Sequence, residues 1–128
     1  MSDTYRVGIA GVGFAGSFHL ENYPESGVEI AGVTSARAES RDAFAGKHGV
    51  KTYASVEKML PEIDILDICT PPSSHSEYIL AAATAGKHII VEKPLTGFFG
   101  SPVEYTKGQM LQGVVDECAK LRDAVGEA

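Results

Sequence analysis

Short apolar runs alternate along this chain with segments whose apolar residues recur at helical spacing. Tyr5 to Val12 carries Val7, Gly8, Ile9 and Ala10 in succession, which predicts a central parallel strand covered on both faces. A helix follows from about Phe14 to Asn22, then a strand from Val28 to Thr34. The next helix runs from about Ala36 to His48, with Ser35 as its expected N-cap and Gly49 closing it. Lys51 to Tyr53 reads as a short strand, and Ser55 as the cap of a short helix reaching Leu60. Ile63 to Thr70 is a further buried strand with Ile63, Ile65, Leu66 and Ile68, and Pro71 and Pro72 forbid its continuation. Ser74 and Glu77 have the spacing of a capping box, which opens a helix carrying Tyr78, Ile79, Ala82 and Ala83 and ending at Gly86. His88 to Val91 is the next strand.

Strands and helices that alternate with short connections imply parallel strands joined by right-handed crossovers, the doubly wound α/β architecture of a Rossmann sheet. The last third breaks the rhythm. Thr96 to Gly108 holds Gly97, Gly100, Pro102 and Gly108 with three aromatics, which predicts a long loop. Leu111, Val114, Val115, Cys118, Leu121 and Val125 then mark a final amphipathic helix. Residues 1–128 are therefore expected to form one domain, in which 97–128 are a loop and a last helix.

Composition narrows the class. The apolar share of 44% fits a globular core, and the apolar runs fall far short of the roughly 20 residues that cross a bilayer. The N-terminus lacks a basic-then-apolar leader pattern, so a cytoplasmic protein is expected. Cys69 and Cys118 have neither disulfide-scaffold density nor zinc-site spacing; both read as reduced core residues, and no metal is expected. A net charge of -6 speaks against nucleic acid or an anionic membrane as partner, but leaves room for a phosphate-bearing small ligand, which needs only a few local donors.

Gly11-Val12-Gly13-Phe14-Ala15-Gly16 matches G-x-G-x-x-G between the first strand and the first helix. Gly11 would allow the tight turn, Gly13 the approach of backbone to a pyrophosphate, and Gly16 the packing of helix on strand. Glycines in such a turn also occur for structural reasons alone, but a complete βαβ unit favours a dinucleotide site. About 20 residues on, where an acidic residue would bind ribose hydroxyls, stand Thr34 and Ser35 with Arg37 just beyond. Hydroxyls and a guanidinium suit a 2′-phosphate, so NADP is the preferred cofactor and NAD the second choice. The competing reading makes Arg37 a solvated first-turn residue.

Thr70-Pro71-Pro72-Ser73-Ser74-His75 lies at the end of the fourth strand, where ligands of open α/β sheets bind, and its prolines would form a rigid wall for the cofactor. His75 has two readings, local hydrogen bonding in the first turn of a helix or a direct role at the site. Glu92-Lys93-Pro94 follows the fifth strand; a bare tripeptide of this kind reads by default as a surface ion pair.

Taken in order and spacing, Gly11 to Gly16, Thr70-Pro71-Pro72 with His75, and Val91-Glu92-Lys93-Pro94-Leu95 resemble the N-terminal domain of the Gfo/Idh/MocA oxidoreductases over about residues 4–96. That resemblance implies an NAD(P)-dependent dehydrogenase or reductase, with hydride transfer between nicotinamide and a sugar, cyclitol or polyol-like substrate. It also implies that Lys93 is the catalytic group assisting proton transfer, that Glu92 shapes the site, and that the bond before Pro94 is cis. A second α+β substrate domain, which the family carries, is not in this sequence, so the chain alone is expected to be inactive. The loop from Thr96 to Gly108 is also longer than the family's usual passage. Small-molecule substrate and homo-oligomeric assembly complete the expectation. The rival readings are a non-catalytic dinucleotide-binding or redox-sensing module, and another Rossmann reductase acting on a semialdehyde or an imine.

Overall fold

The computed structural model describes residues 4–128, so the first three residues of the expected 1–128 domain lie outside the described residues. Five strands form one sheet: β1 (Arg6–Ala10), β2 (Glu29–Thr34), β3 (Thr52–Tyr53), β4 (Ile65–Ile68) and β5 (His88–Val91). Their order is β3-β2-β1-β4-β5 and every pairing is parallel. The chain thus winds outward from β1 in both directions, as the alternating pattern predicts.

Side chains of β1 divide between the two faces because strand residues alternate. Val7 and Ile9 point to the side covered by α1 (Phe14–Asn22) and α2 (Ala38–His48), where they meet Leu20, Val33 and Phe44. Ala10, Leu66 and Ile68 face the other layer, built by α3 (Val56–Met59), α4 (His75–Thr84) and α5 (Lys107–Gly126) through Met59, Ile79, Ala82 and Leu121. Each of these large side chains removed from water contributes about 1.5–3 kcal/mol.

The register aligns the carboxyl ends of the central strands. Ala10 pairs with Thr34 on one side and Ile68 on the other, and Ile68 pairs with Val91. The residues that follow these four positions therefore emerge together at one edge of the sheet. Gly11 N–H to Thr34 O (2.9 Å), Cys69 N–H to Ala10 O (2.7 Å) and Glu92 N–H to Ile68 O (3.1 Å) carry the ladder one residue further.

Three local expectations are corrected. α2 starts at Ala38 with Arg37 as its N-cap and no side-chain cap bond; Ser35 stays in the strand-to-helix turn, where its carbonyl accepts from Arg41 Nη1 at 3.5 Å. Ser74 makes no capping box with Glu77, because its hydroxyl donates to Pro71 O (2.8 Å), pairs with the Thr70 hydroxyl (2.6 Å) and closes a 3-10 turn over Pro72–Ser74. The apolar stripe of α5 is real but only Leu121 is buried; Leu111, Val115 and Val125 remain exposed. Along that helix and the outer edge of β5 runs an apolar groove of about 530 Å³, lined by Ile89, Val91, Leu95, Leu121 and Val125. A capping box of Thr106 and Gln109 starts α5. Ser55 caps α3 by accepting from Lys58 N–H, and α2 ends at Gly49 in the left-handed conformation, both as the sequence indicates. No helix among the described residues is long and apolar enough to cross a membrane.

Candidate functional site

The glycine turn is shaped by what lies behind it. Gly11 has φ +110°, and a Cβ there would lie 2.6 Å from the carbonyl oxygen of Cys69, so both its conformation and its neighbour exclude a side chain. A Cβ on Gly16 would collide with the Gly11 carbonyl, which fixes how closely α1 rests on the turn. At Gly13 a Cβ would meet nothing within 4 Å, because this residue faces an open cleft. Gly13 is also the N-cap of α1 and makes no side-chain cap, so first-turn N–H groups and the positive end of the helix dipole are directed at that space.

The cleft holds about 620 Å³ and lies across the carboxyl ends of β1, β2 and β4. Gly11, Val12 and Gly13 form its floor, Ser35, Ala36 and Arg37 one wall, and Thr70, Pro71, Ser73 and Ser74 the other. Three segments distant in sequence, each singled out for dinucleotide chemistry, thus line one cavity of suitable size for a nucleotide. Arg37 is exposed at its rim.

Other expected site residues lie elsewhere. Thr34 is buried and its hydroxyl donates to Tyr53 O at 2.9 Å, so its side chain joins β2 to β3; it borders a smaller neighbouring pocket with Ser35. Phe14 is 88% exposed, stacked on Phe18 at 6.3 Å between ring centroids, and with Ala15 it does not line the cleft. Pro72 opens the 3-10 turn behind Pro71. His75 is fully buried: Nε2 lies 2.9 Å from Thr70 O, and Nδ1 lies 2.9 Å from Pro94 O and 3.2 Å from Leu95 O. A carbonyl can only accept, so whichever ring nitrogen carries the proton donates to main chain, and the ring clamps the Lys93-Pro94 loop onto the end of β4; it does not line the cleft. Lys93 is exposed, and the Lys93-Pro94 bond is cis.

Beneath the Glu92-Lys93-Pro94 loop lies a polar cluster that no sequence motif marks. Asp67 sits in β4 between Leu66 and Ile68 and is fully buried on the α1 side of the sheet. Its Oδ2 accepts from the Tyr23 hydroxyl at 2.6 Å and lies 2.7 Å from His19 Nδ1, while Oδ1 accepts from the Cys69 thiol at 3.4 Å. The second ring nitrogen of His19, Nε2, lies 2.9 Å from Glu92 Oε1. Burial and then the Asp67 carboxylate hold the Tyr23 phenol far above its ordinary range. The Cys69 thiol is raised likewise, by burial first, then by Asp67 and last by Glu92. The signal available in the sequence was a lone carboxylate inside the apolar run Ile65-Leu66-Asp67-Ile68, together with His19 three residues past Gly16.

His19, Asp67 and Cys69 also bring three metal-type donor atoms within 4.8 Å of one another. The distances are those of hydrogen bonds. Nitrogen and oxygen ligands of a tetrahedral zinc, each at about 2.0–2.2 Å, would stand about 3.4 Å apart, against 2.7 Å between His19 Nδ1 and Asp67 Oδ2.

Comparison with known proteins adds the following. Residues 5–120 match the model of the Gfo/Idh/MocA oxidoreductase family, NAD-binding Rossmann fold. The chain is 36% identical over 91 residues to UDP-N-acetylglucosamine 3-dehydrogenase of Acidithiobacillus ferrooxidans, covering 71% of this chain and 29% of that protein. It is 32% identical over 95 residues to myo-inositol 2-dehydrogenase of Thermotoga maritima, covering 71% and 28%. A solved structure of a UDP-N-acetylglucosamine 3-dehydrogenase from Acidithiobacillus ferrooxidans superimposes with a TM-score of 0.78 at 29% identity, over 98% of this chain and 36% of that one. A protein from gentamicin A biosynthesis, solved in complex with NAD, shares the fold with a TM-score of 0.78 at 20% identity, over 99% and 33%. The chain spans about a third of the length of these relatives.

Proposed function

The chain belongs to the Gfo/Idh/MocA oxidoreductase family as an NAD-binding Rossmann domain, and we propose from that premise that the full-length protein is an NAD(P)-dependent dehydrogenase of a sugar, cyclitol or polyol-like alcohol. The observation that carries this reading is the convergence of the glycine turn, the Ser35–Arg37 turn and the Thr70–Ser74 wall on one cleft at the carboxyl ends of three strands. The cleft fits the cofactor by its chemistry. Open space over Gly13 admits phosphate to the start of α1, and Ser35 and Arg37 offer donors to an adenosine ribose or its 2′-phosphate, with NADP preferred over NAD. Thr70 and Pro71 form the opposite wall. When bound, the nicotinamide supplies the hydride donor or acceptor.

The chain's own part is to orient and to move a proton. His75 fixes the loop bearing Lys93 through main-chain carbonyls, and Lys93 projects from it into solvent, free to meet a substrate hydroxyl. Lys93 is the catalytic acid/base in this reading, and Glu92 and Pro94 set its loop. The relatives act, by their names, on a nucleotide sugar and on myo-inositol, which supports an alcohol of that class. The reading takes residues 1–128 as the cofactor domain, with a separate substrate domain, and the assembly as a homo-oligomer. The test is steady-state turnover of the full-length protein with both cofactors on a panel of sugars, nucleotide sugars and cyclitols. Lys93→Ala is expected to lower kcat by about 100-fold or more with cofactor affinity nearly unchanged. An unaltered kcat would return Lys93 to the role of a surface cation.

A further inference from the structure

We propose that His19 is a positioning residue held as its imidazolium, bridging buried Asp67 to Glu92 and so orienting the Glu92-Lys93 loop. Its functional half rests on the dehydrogenase reading given above. Both ring nitrogens of His19 face carboxylate oxygens, Nδ1 that of Asp67 at 2.7 Å and Nε2 that of Glu92 at 2.9 Å. A neutral imidazole has one N–H and would turn a bare lone pair toward the other oxygen; only the doubly protonated ring donates to both.

The arrangement around Asp67 leads to the same protonation state. Its fully buried carboxylate receives Tyr23, Cys69 and His19, and of these three only His19 can carry a positive charge. A carboxylate buried without a countercharge is strongly unfavourable, so the cation belongs on the ring. The groups facing that ring come from α1 and the turn after it (Phe18, Tyr23), from β4 and its end (Asp67, Cys69) and from the end of β5 (Glu92).

The bridge has a mechanical consequence. His19 lies on the helix that opens at the glycine turn, Asp67 on a central strand, and Glu92 on the loop before Lys93. One ring therefore ties the phosphate end of the site to its reacting end. His75 holds the same loop from the α4 side through main-chain carbonyls, and among the described residues it is His19 that holds the Glu92 carboxylate.

The experiment is a long-range proton–nitrogen NMR spectrum of the histidine rings in the uniformly labelled 128-residue chain, with His19 assigned by His19→Gln. At pH 7 both His19 nitrogens are expected to carry protons, and Glu92→Gln and Asp67→Asn each lower the pH at which the second proton is lost. Glu92 is partly exposed, so Glu92→Gln gives the comparison even where Asp67→Asn does not fold. A single neutral tautomer at pH 7, or a titration that Glu92→Gln leaves unmoved, overturns the proposal. In the full-length enzyme His19→Gln should lower kcat about 10-fold or more, the scale of one charge-assisted hydrogen bond, with cofactor KM within about twofold. A raised cofactor KM with unchanged kcat overturns the positioning role. A doubly protonated His19 in a full-length protein without dehydrogenase activity supports the bridge and overturns the enzymatic reading instead.

Discussion

Replacing Arg37 by alanine tests the cofactor assignment with little disturbance to the fold. Arg37 is the N-cap of α2, yet its side chain makes no capping bond, so truncation removes only the guanidinium on the cleft wall. A hydrogen bond to a charged group contributes about 1.5–3 kcal/mol. Because Arg37 is exposed, water and salt screen it, and the lower end applies, about 1.5 kcal/mol or roughly 10-fold in affinity. Ser35 on the same wall keeps a weaker neutral contact. The expected result is tighter binding of NADPH than NADH by the parent chain, about 10-fold loss of NADPH affinity in Arg37→Ala, and NADH affinity within about twofold. The assay is calorimetric titration of both cofactors at two salt concentrations, with salt weakening NADPH binding more. Equal affinities in the parent chain, a preference for NADH, or an equal effect of Arg37→Ala on both cofactors would refute the reasoning.

Two further outcomes follow from the core. Cys69 should react slowly with iodoacetamide at pH 8 in the folded chain, because a raised thiol leaves little thiolate; Asp67→Asn should speed the reaction, and mass spectrometry of the labelled peptide reads both. Equal rates in the folded and the denatured chain would contradict the burial described. Leu121 is the one buried apolar residue of α5, at 3% exposure, so Leu121→Ala should lower unfolding free energy by about 2–5 kcal/mol in urea denaturation, whereas Leu111→Ala, at an exposed site, should change it by about 0.5 kcal/mol or less.

The sequence was most legible where one physical rule acts alone. The spans Phe14–Asn22 and His88–Val91 begin and end where the sequence predicts, whereas the strand expected over Ile63 to Thr70 is shorter, Ile65–Ile68, and stops before Pro71 and Pro72, which could not have extended it for want of N–H donors. Spacing misleads where a polar side chain has competing partners. Ser74 stands at capping distance from Glu77 but bonds backward to Thr70 and Pro71, a choice set by the turn that the prolines impose. The stripe on α5 identifies a helix but not what covers it, since periodicity shows which residues share a face and not whether a neighbour is present. Within the site, the glycine turn and the wall at Thr70 were legible because backbone geometry dictates residue type there. The bridge from Asp67 through His19 to Glu92 joins three segments that only the fold brings together, and no local pattern encodes it.

Among the described residues the ring of His75 hydrogen-bonds only to main-chain carbonyls, those of Thr70, Pro94 and Leu95. Its partners are therefore indifferent to the identity of the side chains that they carry. A carbonyl is present whatever the residue, so the clamp asks of those positions only that the backbone keep its path. His19, bound to two carboxylate side chains, is in the opposite situation: its partners exist only while an acidic residue stands at positions 67 and 92. Two histidines that brace one loop thus depend on different things, one on the path of the backbone and the other on the identity of two side chains.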